Sequence, residues 1–325
     1  MRLVILGAGA IGGVVAGHLA RANRDVLVIA RGAHLAAIRA NGLRVETPSG
    51  VFVTHPEAVE AAAVTWRDGD VLVAAVKTQD LADALREVAV PPQIPIVCMT
   101  NGLEAERLAL RHVRDVYGCC VLIPGTYLVP GTVQVWAGPV PGVLDLGRYP
   151  DGTGELADAI AGELIVAGFS TEVRANIMKW KRGKLLSNLL NGAEAISGPP
   201  ARTSELGARA KAEGRACYAA ANLSCTTEAE DAERRTALTS LPIAGATRAG
   251  GSTWQSLARG AGTLETDYLN GEIAMLGRLH GIATPVNEAL QWFAAEAART
   301  RVAPGSVPLA ELIARVDRSS DRSST

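Results

Sequence analysis

The feature that most restricts the fold of this chain is Gly7-Ala8-Gly9-Ala10-Ile11-Gly12, a GxGxxG hexapeptide directly after the apolar run Leu3-Val4-Ile5-Leu6. In a strand–turn–helix setting the first glycine permits the tight turn and the second lets the backbone approach a diphosphate. The third allows the helix to pack closely on the strand, and the helix N-terminus offers its unpaired N–H groups to the anion. By itself the hexapeptide also describes a plain tight turn in some other α/β protein. Its flanks favour dinucleotide binding: a helical pattern runs from about Ala10 to Ala22, and a second strand from Asp25 to Ala30. That strand ends Val28-Ile29-Ala30-Arg31, without the Asp or Glu that would accept from the ribose 2′-hydroxyl of NAD. Arg31 suits a forked, charge-assisted bond to a 2′-phosphate, so NADP(H) is the expected cofactor. The competing reading of Arg31 is an ordinary surface residue in an Arg-rich chain.

Further along, Val71–Val76, Ile94–Met99 and Val116–Ile123 are continuous apolar runs, as expected of parallel strands buried on both faces. Helical stretches around 80–89 and 103–112 separate them, which indicates a doubly wound α/β sheet. Asn41-Gly42 begins a hairpin with arms Leu43-Arg44-Val45 and Val51-Phe52-Val53 around Pro48-Ser49-Gly50. Thr132–Trp136 and Val143–Gly147 lie close enough to pair as a second hairpin. Beyond Phe169–Val173 the pattern turns helical, with helices expected at about 176–195, 203–223, 228–240, 263–280 and 285–299. The last has Thr284 to cap it and Pro285 at its first position. The expected division is a Rossmann-like NADP-binding domain over 1–172, a helical substrate domain over 173–315, and a polar, disordered tail over 316–325.

Composition narrows the function. With 48% hydrophobic and 20% charged residues over 325 positions, the chain can build two cores. A net charge of −1 argues against nucleic acid or an anionic membrane surface as partner. No apolar stretch reaches membrane-spanning length, and the run after Met1 leads into glycines rather than a cleavage site. Cys98, Cys119, Cys120, Cys217 and Cys225 show no CxxC and no metal spacing, which suits reduced thiols in a cytoplasm. The histidines show no metal spacing either, so no metal is expected. Nothing in the residues fixes the oligomeric state, and a homodimer is allowed.

Only five of the 32 Lys and Arg residues are Lys, and three of them fall at Lys179, Lys181 and Lys184. A chain that uses Arg this freely should keep Lys where a proton must move, because guanidinium does not release one. At about 100° per residue, Lys181, Lys184, Asn188 and Asn191 span about 80° of a helix, with Leu185, Leu186, Leu189 and Leu190 opposite. A solvated polar face would have the same spacing. Asn, however, is a poor helix former and an odd choice for water alone, so the stripe points to a polar ligand. Lys77 and Asn101 follow two of the expected strands at their carboxyl ends, where ligands bind in such sheets, although Asn101-Gly102 is also a turn signal. Glu265 and Asp267 open a helix, where acids are favoured by the dipole alone. Ser252 and Thr253 are turn residues or carboxylate donors.

Together these pieces resemble the ketopantoate reductases (2-dehydropantoate 2-reductases) over about residues 1–300. The resemblance rests on the GxGxxG, Arg31, Val76-Lys77-Thr78, Asn101-Gly102 and Lys184-Leu185 with Asn188. It continues through Glu265-Thr266-Asp267-Tyr268-Leu269-Asn270-Gly271 and Pro285-Val286-Asn287. It implies a Rossmann-type parallel sheet followed by an all-helical domain, 6-phosphogluconate-dehydrogenase-like, with the active site in the cleft between them. It further implies reduction of a small 2-oxo acid, ketopantoate first, by NADPH. Lys184 would be the general acid, and Glu265 would hold the substrate hydroxyl and orient the lysine. Asn101, Asn188 and Asn191 would position substrate, Ser252 or Thr253 would bind its carboxylate, and Lys77 would contact cofactor. Trp180 precedes Lys184 by four residues, where the family commonly has Trp-x-Lys-Leu, so Lys181 competes for the catalytic or substrate-binding role. Two other functions stay open: a reductase of another small hydroxy acid, and a non-catalytic NADP-binding sensor.

Overall fold

A strand that is apolar on both faces must lie inside a covered sheet, and five consecutive residues, Arg2 to Leu6, are all buried. In the computed structural model, which describes residues 1–248 and 250–322, this strand is central. One sheet contains β1 (Arg2–Leu6), β2 (Val26–Ile29), β3 (Glu57–Val59), β4 (Asp70–Ala74), β5 (Ile96–Cys98), β6 (Val116–Leu122) and β7 (Val143–Arg148). Their spatial order is β7-β6-β5-β4-β1-β2-β3. Every pairing is parallel except that of β6 with β7. Leu3 lies opposite Val26 on one side and Val71 on the other, so the winding reverses between β1 and β4. In open α/β sheets that reversal opens a ligand crevice at the carboxyl ends of the strands.

Alternate side chains serve opposite faces of the sheet. Leu3, Ile5, Val28, Val73 and Val97 pack with helices Gly12–Arg21 and Glu155–Val166. Val4, Leu6, Leu72 and Ile96 pack with helices Thr78–Glu87 and Ala105–Leu110. At the other end of the crevice strands, Arg2 makes a two-pronged, buried bond to Asp70, with Nε 2.9 Å from Oδ1 and Nη2 2.7 Å from Oδ2. The pair fixes the register of β1 against β4 by geometry as well as charge.

A second sheet has four strands in the order Gly50–Thr54, Leu43–Thr47, Thr132–Val135, Gly125–Val129. The hairpin expected around Pro48-Ser49-Gly50 is present. The one expected between Thr132–Trp136 and Val143–Gly147 is not. Thr132–Val135 pairs with Leu43–Thr47 and Gly125–Val129, while Val143 joins the large sheet opposite Leu122. Pairing partners so far apart in sequence leave no local trace.

The chain separates into two compact units, Met1–Lys181 with Glu228–Arg248, and Arg182–Thr227 with the described residues from 250 onward. The division therefore differs from a break at 172/173. Residues 170–173 bridge to β7 and so belong with the sheet. The expected helix at 228–240 is shorter, Glu228–Arg235, and returns to the first unit for a clear reason. Arg234 on it reaches buried Asp145 of β7 with Nε at 2.8 Å and Nη2 at 2.5 Å. The second unit is helical, built mainly from Glu205–Ala220, Asn270–His280 and Pro285–Arg299. The stretch expected as one helix over 263–280 is a short 3₁₀ turn, Glu265–Tyr268, followed by Asn270–His280. Residues 316–325 were expected to lack structure, yet helix Leu309–Arg322 covers 316–322, with buried Leu312 and Val316. Residues 323–325 of that expectation lie outside the described residues. Among those described, no helix is long and apolar enough to cross a membrane.

One core contact makes stability depend on pH. His18 lies edge-on to Phe52 and Phe169, with ring centroids 5.2 and 5.4 Å away. Burial, with Arg21 adding to it, pushes its imidazole from 6.5 down to about 4. Between those values the unfolded chain takes up a proton that the folded chain refuses, so stability falls as pH falls. The loss from this group is roughly 3 kcal/mol across the window. We expect His18→Leu to flatten the decline in Tm between pH 6.5 and 4; a decline equal to the wild type's would contradict this.

Candidate active site

The glycine-rich turn closes so tightly that side chains are excluded at two of its positions. Gly7 has φ +99°, the left-handed region, and a Cβ there would lie 2.8 Å from Val76 Cγ1. A Cβ on Gly12 would lie 2.0 Å from the Gly7 carbonyl oxygen and 2.9 Å from Ala75 Cβ. At Gly9 the equivalent position meets no atom within 4 Å, so the backbone is open on that side. Arg31 follows β2 at the start of helix Gly32–Asn41. It is exposed, and its guanidinium makes no hydrogen bond or ion pair among the described residues. An open backbone cradle beside an uncommitted guanidinium fits a phosphorylated dinucleotide.

The remaining residues expected at the cofactor stand on the same sheet edge. Lys77 precedes helix Thr78–Glu87 after β4, and Asn101 follows β5; both are half-buried. Thr78 Oγ1 donates to the Asn101 carbonyl at 3.1 Å, which ties the two loops together. Gly7, Ala8, Gly9, Ala10, Ile11, Gly12, Arg31, Lys77 and Asn101 thus gather at the carboxyl ends of β1, β2, β4 and β5.

The polar stripe around Lys184 is redistributed by the structure. Helix Ile177–Asn188 ends before Asn191, which begins a separate helix, Asn191–Ser197. Asn191 is buried, and its Oδ1 accepts from Arg202 Nη2 at 2.8 Å. Lys181 is only 3% exposed and pairs with Glu106, which is 0% exposed. Its ammonium also donates to the Thr100 carbonyl at 3.3 Å. Burial alone would lower the Lys181 ammonium, but the Glu106 carboxyl beside it raises it above its usual range. Burial in turn lifts the Glu106 carboxyl. An ammonium held this way is a poor proton donor, and it is occupied in supporting the loop that carries Asn101. The expectation that Lys181 and Asn191 face a substrate is therefore corrected: both side chains are committed to protein partners.

Lys184 and Asn188 remain together, one helical turn apart and half-buried on the same helix. A Cβ on Gly183 would lie 1.7 Å from Thr226 Oγ1, so the helix packs hard against that segment just before Lys184. Glu265, 8% exposed, opens the 3₁₀ turn Glu265–Tyr268. Asp267, by contrast, accepts from Gln291 Nε2 at 2.8 Å. Helix Ser252–Ala258 begins with exposed Ser252 and buried Thr253. Among the described residues, no group of three or more His, Cys, Asp or Glu is placed to hold a metal ion.

Three supporting residues, Asn270, Asn287 and Glu213, have no individual role assigned from the sequence. Asn270 donates to the Leu189 carbonyl at 3.0 Å, just past the end of the Lys184 helix, and to Asn287 Oδ1 at 3.0 Å. Asn287 in turn donates to Glu213 Oε2 at 2.7 Å, and Glu213 also accepts from the Val286 and Asn287 backbone N–H groups. This buried chain gives Asn270-Gly271 and Pro285-Val286-Asn287 a physical role: they anchor the helix end next to Asn188.

The chain is similar to known proteins over most of its length. A family model described as ketopantoate reductase PanE/ApbA matches residues 3–151, and its C-terminal counterpart matches residues 176–295. The chain is similar to a 2-dehydropantoate 2-reductase of Pyrococcus horikoshii, 29% identical over 189 residues. That match spans 58% of this chain and 61% of the relative. A second 2-dehydropantoate 2-reductase, from Halobacterium salinarum, is 28% identical over 308 residues, 88% of this chain and 95% of the relative. The crystal structure of a PanE/ApbA family ketopantoate reductase from Ralstonia eutropha JMP134 superposes with a TM-score of 0.77 at 27% identity, covering 93% of this chain and 99% of that one.

The buried pair separates a supporting lysine from a reacting one. Removing one partner of a buried ion pair typically costs about 3–5 kcal/mol, whereas replacing both with apolar residues is often neutral. We expect Lys181→Met to lower Tm sharply, and Lys181→Met with Glu106→Leu to regain most of it while still turning over substrate. A double variant that folds but is catalytically dead would assign the chemistry to Lys181.

Proposed function

We propose that this chain, which belongs to the ketopantoate reductase PanE/ApbA family, reduces a small 2-oxo acid, ketopantoate foremost, to the 2-hydroxy acid with NADPH. The observation that carries the assignment is the divergence of two lysines on one helix. Lys181 is sealed against Glu106 inside the sheet unit, whereas Lys184, one turn before Asn188, is half-buried on the same helix. The resemblance to the ketopantoate reductases supports Lys184 as the catalytic lysine.

Backbone N–H groups of the Gly7–Gly12 turn would hold the diphosphate, and Arg31 the 2′-phosphate. When bound, the cofactor supplies the hydride. The protein's own part is proton and charge management. Lys184 donates a hydrogen bond to the substrate's 2-oxo oxygen, stabilises the charge that builds there, and delivers the proton that completes the alcohol. Glu265 accepts from the substrate hydroxyl and keeps the lysine oriented toward it. Asn188 and Asn101 orient the substrate, and the hydroxyls of Ser252 and Thr253 receive its carboxylate. The all-thiol state of the five cysteines fits a reducing compartment such as the cytoplasm.

Two substitutions test this reading. Lys184→Ala should lower kcat by about 10²- to 10⁴-fold, the usual size of a general-acid contribution, with the Kd for NADPH unchanged. Wild-type turnover in that variant would refute the role. Arg31→Ala should remove the preference for NADPH over NADH, and unchanged selectivity would refute the 2′-phosphate contact. If the wild-type protein reduces other 2-oxo acids but not ketopantoate, the substrate assignment fails while the mechanism stands. Binding of NADPH with no turnover on any 2-oxo acid would leave the sensor.

A further inference from the structure

His34 is buried in the first turn of helix Gly32–Asn41, three residues after Arg31, and both of its ring nitrogens are bonded to backbone. Nε2 lies 2.7 Å from the Ala8 carbonyl oxygen, in the middle of the glycine-rich turn. Nδ1 receives the Gly131 N–H at 2.8 Å. The partners fix the tautomer: an amide N–H can only donate and a carbonyl can only accept, so the ring is neutral with its proton on Nε2. Burial lowers the His34 pKa, which also keeps the ring neutral. Around it the scaffold is firm. Tyr127 packs on the ring with centroids 4.5 Å apart, and the Gly131 carbonyl accepts from the Arg44 N–H at 2.9 Å. A Cβ on Gly125 would lie 2.6 Å from the Ala10 carbonyl oxygen, so the hairpin that carries Gly131 also presses on the turn.

The consequence follows from peptide planarity. In a trans peptide the carbonyl and the N–H point in opposite directions, so holding the Ala8 oxygen against His34 turns the Gly9 N–H away from it. Among the described residues no backbone carbonyl accepts from that N–H, and the backbone at Gly9 is the open part of the turn. We infer that His34 is a positioning residue for the cofactor: it locks the Ala8–Gly9 peptide in the orientation that presents the Gly9 N–H to the diphosphate, and braces that lock on the second sheet through Gly131. This rests on the NADPH reading above.

Two amide substitutions separate the two ring nitrogens. His34→Gln places a donor near the Nε2 position and can keep the bond to Ala8, while leaving Gly131 without an acceptor. His34→Asn can keep the Gly131 bond but does not reach Ala8. With NADPH binding followed by cofactor fluorescence, the Gln variant should bind within about threefold of wild type despite a lower Tm. The Asn variant should bind about tenfold more weakly with a Tm nearer wild type, a tenfold change being one ordinary hydrogen-bond increment. Equal binding by the Asn variant and wild type, or equal losses in both variants, would overturn the inference.

A second measurement needs only wild-type protein. Adding NADPH should slow hydrogen exchange at the Gly131 amide together with the turn amides, because His34 links them. An unchanged Gly131 amide beside protected turn amides would overturn the lock. Wild-type protein that fails to bind NADPH would instead sink the cofactor reading, and this inference with it.

Discussion

Gly12 packs against the Gly7 carbonyl at a distance that leaves no room for a Cβ, and the arrangement of the ligand edge depends on that contact. With the helix drawn down onto β1, the strand is buried on both faces and can pair with β2 on one side and β4 on the other. The carboxyl ends of those strands then converge, which brings Arg31, Lys77 and, through β5, Asn101 to the edge where the turn opens. A methyl group at Gly12 would have to move the helix, and with it the N–H groups that face an anion. The same economy appears at His34, where one imidazole serves the turn and the second sheet together.

Chemical identity alone does not decide what a charged residue does; its partners do. Lys181 and Lys184 lie less than one helical turn apart. The first is met by Glu106 and the Thr100 carbonyl inside the sheet unit, so its charge stabilises a loop. The second emerges half-buried beside Asn188, on a helix whose end is held by the Asn270–Asn287–Glu213 chain. A buried ion pair makes a rigid support but a poor acid. The proposed division of labour between the two lysines follows from burial.

Much of the fold was legible in the residues because its signals are local. The strand–GxGxxG–helix unit, the apolar runs that became β4, β5 and β6, and the Thr284-Pro285 start of helix Pro285–Arg299 each depend on a few neighbouring positions. What could not be read depends on distant partners. β7 pairs with β6 rather than with the nearer Thr132–Val135 strand, a choice made by sheet packing. The segment 228–248 returns to the first unit because Arg234 finds Asp145, 89 residues away in sequence. Lys181 looked like part of a ligand-facing stripe because Glu106, 75 residues earlier, gives no sign that it will meet it. The stripe needs one continuous helix, and the break between Asn188 and Asn191 turns its last member toward Arg202.

In the proposed reaction one ammonium, on Lys184, supplies the proton when a 2-oxo acid is reduced. The most direct test is the rate of NADPH oxidation with ketopantoate by Lys184→Ala, with and without added methylammonium. A proton supplied by Lys184 predicts a severely slowed variant whose rate rises with amine concentration while Lys181 is left intact. A Lys184→Ala protein that oxidises NADPH at the wild-type rate without added amine would contradict it.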